Sequence, residues 1–256
     1  MDGYLTISDS SFTGNESNYG AAVYMSGDGL IENTLFTNNS VYTVLSGGES
    51  VGGQGGAINY NATASGSSLI ISDSVFSYNE AEQVASALAV YALDSTGLSN
   101  GTDLLLDSVT IDNNTSAAAA IGTAGGYLTI SDSTIYDNSN GDGAAITLYS
   151  NTDVELTDTS VFGNTSSEFG AVSLYAGSSL ECGSGSSIVD NASGADFAAI
   201  GVQGEDSLFI SEGCDFGGGI GNSLENTPVD VWTSSDGVDS QVFDYANVQD
   251  FECTSE

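Results

Sequence analysis

The side chains in this sequence that could do chemistry are nearly all carboxylates. Asp and Glu together number 35, Lys and Arg number 0 and His numbers 0, for a formal net charge of −35 at pH 7. A serine or cysteine nucleophile therefore has no His to take its proton, and zinc hydrolase arrangements lack their His as well. Two carboxylates held at a fixed separation can still hydrolyse a glycosidic bond. Carboxylates stacked beside backbone carbonyls can hold Ca2+. Asp9, Asp73, Asp132 and Asp158 are the candidates for that second role, because they recur at one place in a repeating pattern, shared with Asn33 and Ser108. The competing reading of the column is structural, since Asp caps turns by accepting a backbone N–H. No D-x-D-x-D-G loop favours calcium. A catalytic pair would be unique, whereas these residues repeat with the chain. A non-enzymatic protein is thus the first expectation and a glycosidase using paired carboxylates the alternative. Glu80 with Glu82, and Asp236 with Asp239, are lesser cation candidates.

Cys182, Cys214 and Cys253 follow no metal-binding spacing. In an exported protein one disulfide is expected among them, with Cys214–Cys253 pinning the C-terminal tail; the other reading is three buried free thiols.

Charge narrows the partners. Phosphate backbones and anionic membrane surfaces both require cationic contacts, so nucleic acid and anionic lipid are excluded. No apolar run reaches the length of a membrane-spanning helix, so no membrane insertion is expected of this segment. Self-repulsion of the carboxylates destabilises a compact state, and at physiological ionic strength screening extends only about 8 Å. A saline or calcium-rich medium would relieve it; the plainer reading is a solubilising surface. Divalent cations, glycans or other surface proteins are the expected partners, and a secreted or cell-surface location is expected. Met1 is followed at once by repeat sequence (Tyr4 to Asp9), so the chain reads as a fragment or a mature region.

The elements that must position these groups come from an internal repeat. Leu5–Asn15 (LTISDSSFTGN), Gly29–Asn39, Leu69–Asn79, Leu104–Asn114, Leu128–Asn138 and Val154–Asn164 align without gaps. Leu180–Asn191 needs one inserted residue, and a further copy starting at Leu208 keeps the strand but loses the Asn. The consensus is L-x-I-x-D-S-x-F-x-x-N. A block of small residues follows each copy, as in Gly20–Met25 (GAAVYM), Gly55–Tyr60 (GGAINY) and Gly143–Tyr149 (GAAITLY).

L-x-I alternates with period two, which sends Leu and Ile to one face. D-S marks a bend, the aromatic or branched residue points inward again, and x-x-N marks a second bend. The small-residue strand closes the coil. Such units bury their apolar face only by stacking, each strand pairing in parallel with its counterpart in the next copy. The sequence therefore predicts an all-β fold, a right-handed parallel β-helix of about eight coils with three short strands each. It would span residues 1–233, with 234–256 as an acidic C-terminal tail or cap. Asn15, Asn39, Asn79, Asn114, Asn138, Asn164 and Asn191 form the bend column. Asn tolerates left-handed backbone at a bend, and stacked amides can hydrogen-bond along the axis. The insertions Val41–Gln54, Asn61–Ser68 and Ala92–Asp103 should emerge as loops. Among the N-x-[ST] sequons, those of Asn61 and Asn100, in inserted loops, are the better glycosylation candidates.

F-x-x-N and G-G-A-[ILV] together resemble the repeats of the polymorphic outer-membrane proteins of chlamydiae. Here they stand as Phe12 to Asn15, Phe36 to Asn39, Phe76 to Asn79 and Gly55 to Ile58. The resemblance covers residues 4–203 and implies a surface-exposed β-helix passenger, with adhesion as the function of several members. Pectate lyases and polygalacturonases share the fold; the lyases need a basic residue and cations for a uronate substrate, which this chain lacks.

Overall fold

The computed structural model describes residues 3–46, 49–62, 64–194, 199–203, 206–217, 231–233, 241–244 and 253–255. Among them there is no helix, and every coil contributes short strands to stacked parallel sheets. The fold is the right-handed parallel β-helix expected from the repeat.

The first strand column carries L-x-I. Its register runs Leu5↔Gly29↔Leu69↔Leu104↔Leu128↔Val154↔Leu180, and beside it Ile7↔Ile31↔Ile71↔Leu106↔Ile130↔Leu156↔Cys182. From the second coil onward these columns are buried wherever the side chain is apolar, as the period-two pattern requires. The second column is a seven-stranded sheet from Ser11–Thr13 to Ser187–Val189. Its single inward residue per coil stacks on the next. Phe12 and Phe36 lie 5.2 Å apart and 6° from parallel, and Phe36 and Phe76 lie 4.7 Å apart. Stacking of like on like is what a β-helix core demands, since each side chain meets mainly its own counterpart one coil away.

A strand column absent from the three-strand expectation lies between the Asn bend and the small-residue block. It is seven-stranded with two residues per coil, from Glu16–Ser17 to Ala192–Ser193. Two residues carry no readable period, so alternation could not announce it.

The small-residue block forms the last column. Val23, Ile58, Leu88, Ile121, Ile146, Val172 and Ile200 align there and point inward. The intervening outward positions include Asn59, Ala89, Gly122, Thr147 and Ser173. All of them are buried as well, because the chain approaching each strand folds back over its outer face. A Cβ at Gly122 would come within 3.0 Å of the Val84 side chain. Burial on both faces is the physical reason the block is written in Gly, Ala and Ser. Strands Ile121–Ser131 and Ile146–Thr157 run unbroken round the following corner, joining the last column to the first in one 16-stranded sheet.

The insertion Val41–Gln54 is more ordered than a loop. Thr43–Ser46 and Glu49–Gly52 pair antiparallel as a hairpin projecting from the stem. In the copy beginning at Leu208 the register differs from the alignment by one residue. Phe209, not Leu208, lies opposite Leu180, and Phe209 is buried. The larger ring takes the core site and Leu208 moves to the partly exposed face. Of the tail 234–256, only 241–244 and 253–255 fall among the described residues, both as strands that extend the large sheet.

Candidate functional site

The asparagine column is a continuous hydrogen-bonded ladder. In Asn114 the backbone N–H and the side-chain Nδ2 both donate to Asn138 Oδ1, each at 3.0 Å. The second Nδ2 proton reaches the Phe76 carbonyl at 2.9 Å. The same pairings run from Asn15 through Asn39, Asn79, Asn114, Asn138 and Asn164 to Asn191. From Asn39 onward each Oδ1 thus accepts two bonds from the coil before it, which satisfies a buried amide. The left-handed residue at this bend is the one before the Asn. Gly14, Asn38, Tyr78, Asn113, Asp137, Gly163 and Asp190 have φ between +52° and +65°. The Asn therefore holds the bend through its amide and not through its own backbone.

Asp9, Asn33, Asp73, Ser108, Asp132 and Asp158 all occupy left-handed backbone, with φ from +46° to +55°. This is the bend that follows the L-x-I strand, and short polar side chains tolerate that conformation best. Of the four calcium candidates, only Asp132 and Asp158 stand on successive coils; Asn33 and Ser108 interrupt the rest. Asn33 donates to Asp9 Oδ1 at 2.6 Å, so that carboxylate is already engaged. No group of three or more His, Cys, Asp or Glu converges on a metal position among the described residues. The next residue along adds coil-to-coil bonds between three pairs of coils, which the repeat pattern hid under the single letter S. Ser74 Oγ accepts from Thr34 N at 3.1 Å, Ser133 Oγ from Val109 N at 3.0 Å and Ser186 Oγ from Thr159 N at 3.1 Å. These hydroxyls are buried.

Glu82 clasps the base of the hairpin. Its carboxylate accepts from Thr43 N at 2.7 Å and from Thr43 Oγ1 at 2.6 Å, which holds it below the usual carboxylate range. Asp236 and Asp239 lie outside the described residues. Asn100 is not a free acceptor for a glycan. Its amide donates to the Ala62 carbonyl at 2.7 Å and accepts from Thr102 N and Oγ1, with the side chain buried.

The cysteine pairing differs from the one expected. Cys182 bonds Cys214, with Cα atoms 5.5 Å apart. Cys182 occupies an inward core site of its strand, and the chain leaving the neighbouring strand Leu208–Glu212 brings Cys214 back over it. Cys214 is therefore not available to Cys253.

Two surface features gather polar and aromatic side chains into concavities. The first is a groove of about 200 Å3 on the outer face of the L-x-I sheet, lined in part by Tyr127, Asp153, Glu155, Glu181 and Ile210. Glu155 and Glu181 are register partners on adjacent strands. Burial pushes the Glu181 carboxyl up, and the negative charges of Glu212 and Glu155 add to the shift. Two carboxylates held side by side are the minimum requirement of a glycosidase.

The second is a cleft of about 300 Å3 beside the base of the hairpin, lined by Tyr19, Tyr24, Gln54, Asn59, Asn61 and Tyr91. Three coils contribute to it. Tyr24 projects outward from Val23–Met25, and Asn59 lies directly opposite it on the next strand. Gln54 bridges Tyr19 on one side and Val84 on the other through the backbone, at the point where the hairpin insertion rejoins the stem. The Tyr19 and Tyr24 rings meet edge to face, 6.4 Å apart at 73°. Asn61 Nδ2 donates to the Tyr24 hydroxyl at 3.3 Å. Burial, then the neighbouring Tyr19, pushes the Tyr91 phenol up to about 12, so it stays protonated and can donate. Sequence periodicity reaches one member of this cleft, Tyr91, whose position recurs as Tyr149 and Tyr175; for the others, the aromatic spacing Tyr19/Tyr24 beside the longest insertion was the available clue.

A family model described as the right-handed beta helix region matches residues 1–238. No curated protein and no solved structure matches the chain.

Proposed function

The chain belongs to the right-handed β-helix family, and from that premise we propose that it is a secreted or cell-surface stem that binds and adheres rather than catalyses. The observation that carries this reading is the employment of its repeated polar residues. The Asn ladder and the buried serine hydroxyls join coil to coil, and the Asp column occupies left-handed bends, which leaves recognition to features such as the hairpin and the aromatic cleft. A disulfide supports export, because such bonds persist in oxidising compartments. A surface of net charge −35 supports a saline or cation-rich medium, where counter-ions screen self-repulsion. Divalent cations then act as screening ions, and glycans or other surface proteins are the partners to be held.

The glycosidase reading keeps one specific support, the Glu155–Glu181 pair. A single experiment separates the two. Intact cells are probed with antibody against the chain, and the purified protein is incubated with glycans while reducing ends are counted. Surface labelling with no release of reducing ends is the expected result. Labelling only after lysis would overturn the surface assignment. Release of reducing ends that disappears in Glu155→Gln and Glu181→Gln would make the protein an enzyme.

A further inference from the structure

We propose that the cleft formed by Tyr19, Tyr24 and Tyr91 with Gln54, Asn59 and Asn61 is a binding site for an uncharged oligosaccharide. The assignment deepens the adhesive reading and rests on it for its biological meaning, though the cleft can be tested without it.

The chemistry of the lining comes first. Its side chains are phenols and carboxamides, with no carboxylate and no cation. A sugar ring presents an apolar C–H face and a rim of hydroxyls. Aromatic rings cover the face, and amides, which both donate and accept, match the rim. Tyr24 is 57 % exposed, unusual for a ring that is also held in place by a hydrogen bond from Asn61. It thus presents a positioned aromatic surface to solvent, and Tyr19 braces its edge.

The hydrogen-bonding capacity of the cleft is largely unspent. Asn59 is 2 % exposed at the floor, yet its side chain makes one long bond, donating to the Gln54 carbonyl at 3.5 Å. Among the described residues, the Gln54 carboxamide and the Tyr91 hydroxyl have no hydrogen-bond partner. The buried amides of the Asn ladder, by contrast, are paired coil to coil from Asn39 to Asn164. Leaving several polar groups unpaired around one concavity is expected where a hydroxyl-rich ligand supplies the partners.

Charge fixes the class of sugar. An anionic glycan approaches a chain of net charge −35 and finds no cation in the lining. A cationic ligand would be drawn to the protein generally, but the lining offers it no carboxylate to pair with. An uncharged glycan pays no electrostatic penalty and gains the stacking and the amides. The volume of about 300 Å3 is at the lower end of the range for ligand sites, suited to a short terminal or internal stretch of sugar rings.

The test uses the full chain and titration calorimetry against a panel of uncharged oligosaccharides: malto-, cello-, laminari-, manno- and N-acetylchito-hexaoses. Oligogalacturonate and chitosan hexamer serve as the anionic and cationic members. At least one uncharged oligosaccharide should bind. Tyr24→Ala should then weaken it by about tenfold or more. Tyr24→Phe should stay within about threefold of the parent, because the ring stacks without its hydroxyl. Gln54→Ala should weaken binding as well. Tyr24 is exposed, so each variant should keep the parent circular dichroism and melting temperature. The assignment is overturned if no uncharged oligosaccharide binds, if binding survives Tyr24→Ala, or if only the charged members bind and salt abolishes it. Adhesion to a glycan-coated surface, measured on the same variants, separates the two readings. Adhesion unchanged by Tyr24→Ala retains the adhesive stem and removes this cleft from it, whereas glycan binding without adhesion retains the cleft and removes the adhesive role.

Discussion

Replacing Asn114 by Ala should be among the most damaging single changes in the stem, and its cost can be worked from the ladder. Asn114 is 0 % exposed and sits mid-column. Its Oδ1 accepts from Asn79 N at 2.9 Å and from Asn79 Nδ2 at 3.0 Å. Alanine removes that acceptor and strands both donors in a site that water does not reach. It also withdraws the amide bond to the Phe76 carbonyl. Leaving a buried donor unpaired costs roughly 1–3 kcal/mol, so two together give about 4 kcal/mol. Taking about 2 cal/mol/K per residue, a two-state chain of 256 residues loses about 8 °C in melting temperature for that amount. Urea denaturation followed by far-ultraviolet circular dichroism measures it directly. Asn15→Ala is the control. Asn15 ends the ladder, is half-buried, and in the bonds to Asn39 its side chain only donates. Asn39 Oδ1 keeps the backbone N–H of residue 15 when the side chain is gone. That variant should lose about 1 kcal/mol or less. Equal losses at the two positions, or a loss below 1 kcal/mol at Asn114, would refute the argument that satisfied amides hold the coils in register.

Other expected outcomes concern the termini and the charge. Reduction of Cys182–Cys214 opens a loop of sequence separation 32, which in the chain-entropy model should cost about 4 kcal/mol; denaturation with and without dithiothreitol checks it, and no difference would mean that the bridge constrains nothing. Phe209→Ala should cost about 3–5 kcal/mol while Leu208→Ala costs little, and the reverse order by the same denaturation assay would restore the register read from the repeat. Thermal unfolding in CaCl2 and in NaCl at matched ionic strength should give the same rise in melting temperature, because no carboxylate cluster among the described residues is arranged for a cation; a calcium-specific rise would return Asp132 and Asp158 to consideration. Burial, then the Glu168 charge, pushes the Asp142 carboxyl up. The folded state therefore binds that proton more tightly than the unfolded state, and the contribution of this group falls as pH rises from the ordinary Asp value through the raised one. Asp142→Asn should remove that slope and stabilise the protein at neutral pH, as melting curves across pH would show.

What repeats in space repeats in sequence, and the sequence by itself determined that part. Leu5, Ile7, Phe12 and Asn15 each meet their own counterparts one coil away, so the core and the bend must be written again in every coil. That self-similarity revealed the solenoid, the inward faces and the Asn column without any knowledge of contacts. The same logic showed which chemistry the chain cannot do, because a missing His or Lys is missing in any fold.

Tertiary structure decided everything that occurs once. Which cysteine reaches Cys214 depends on how the chain leaves Leu208–Glu212, and that path is not periodic. The one-residue register of Phe209 was settled by which side chain fills the end of the core, an energy of packing that no alignment of short motifs contains. Even within the repeat, the left-handed residue proved to be the one before each Asn, a position occupied in turn by Gly, Asn, Tyr and Asp, because the backbone angle is imposed by closure of the coil and not by residue type. The Tyr19–Tyr24–Tyr91 cleft lies furthest from the reach of sequence. Residues from three coils meet there because a hairpin insertion rejoins the stem at Gln54, and of its tyrosines Tyr91 alone stands where other coils also place a tyrosine, Tyr149 and Tyr175.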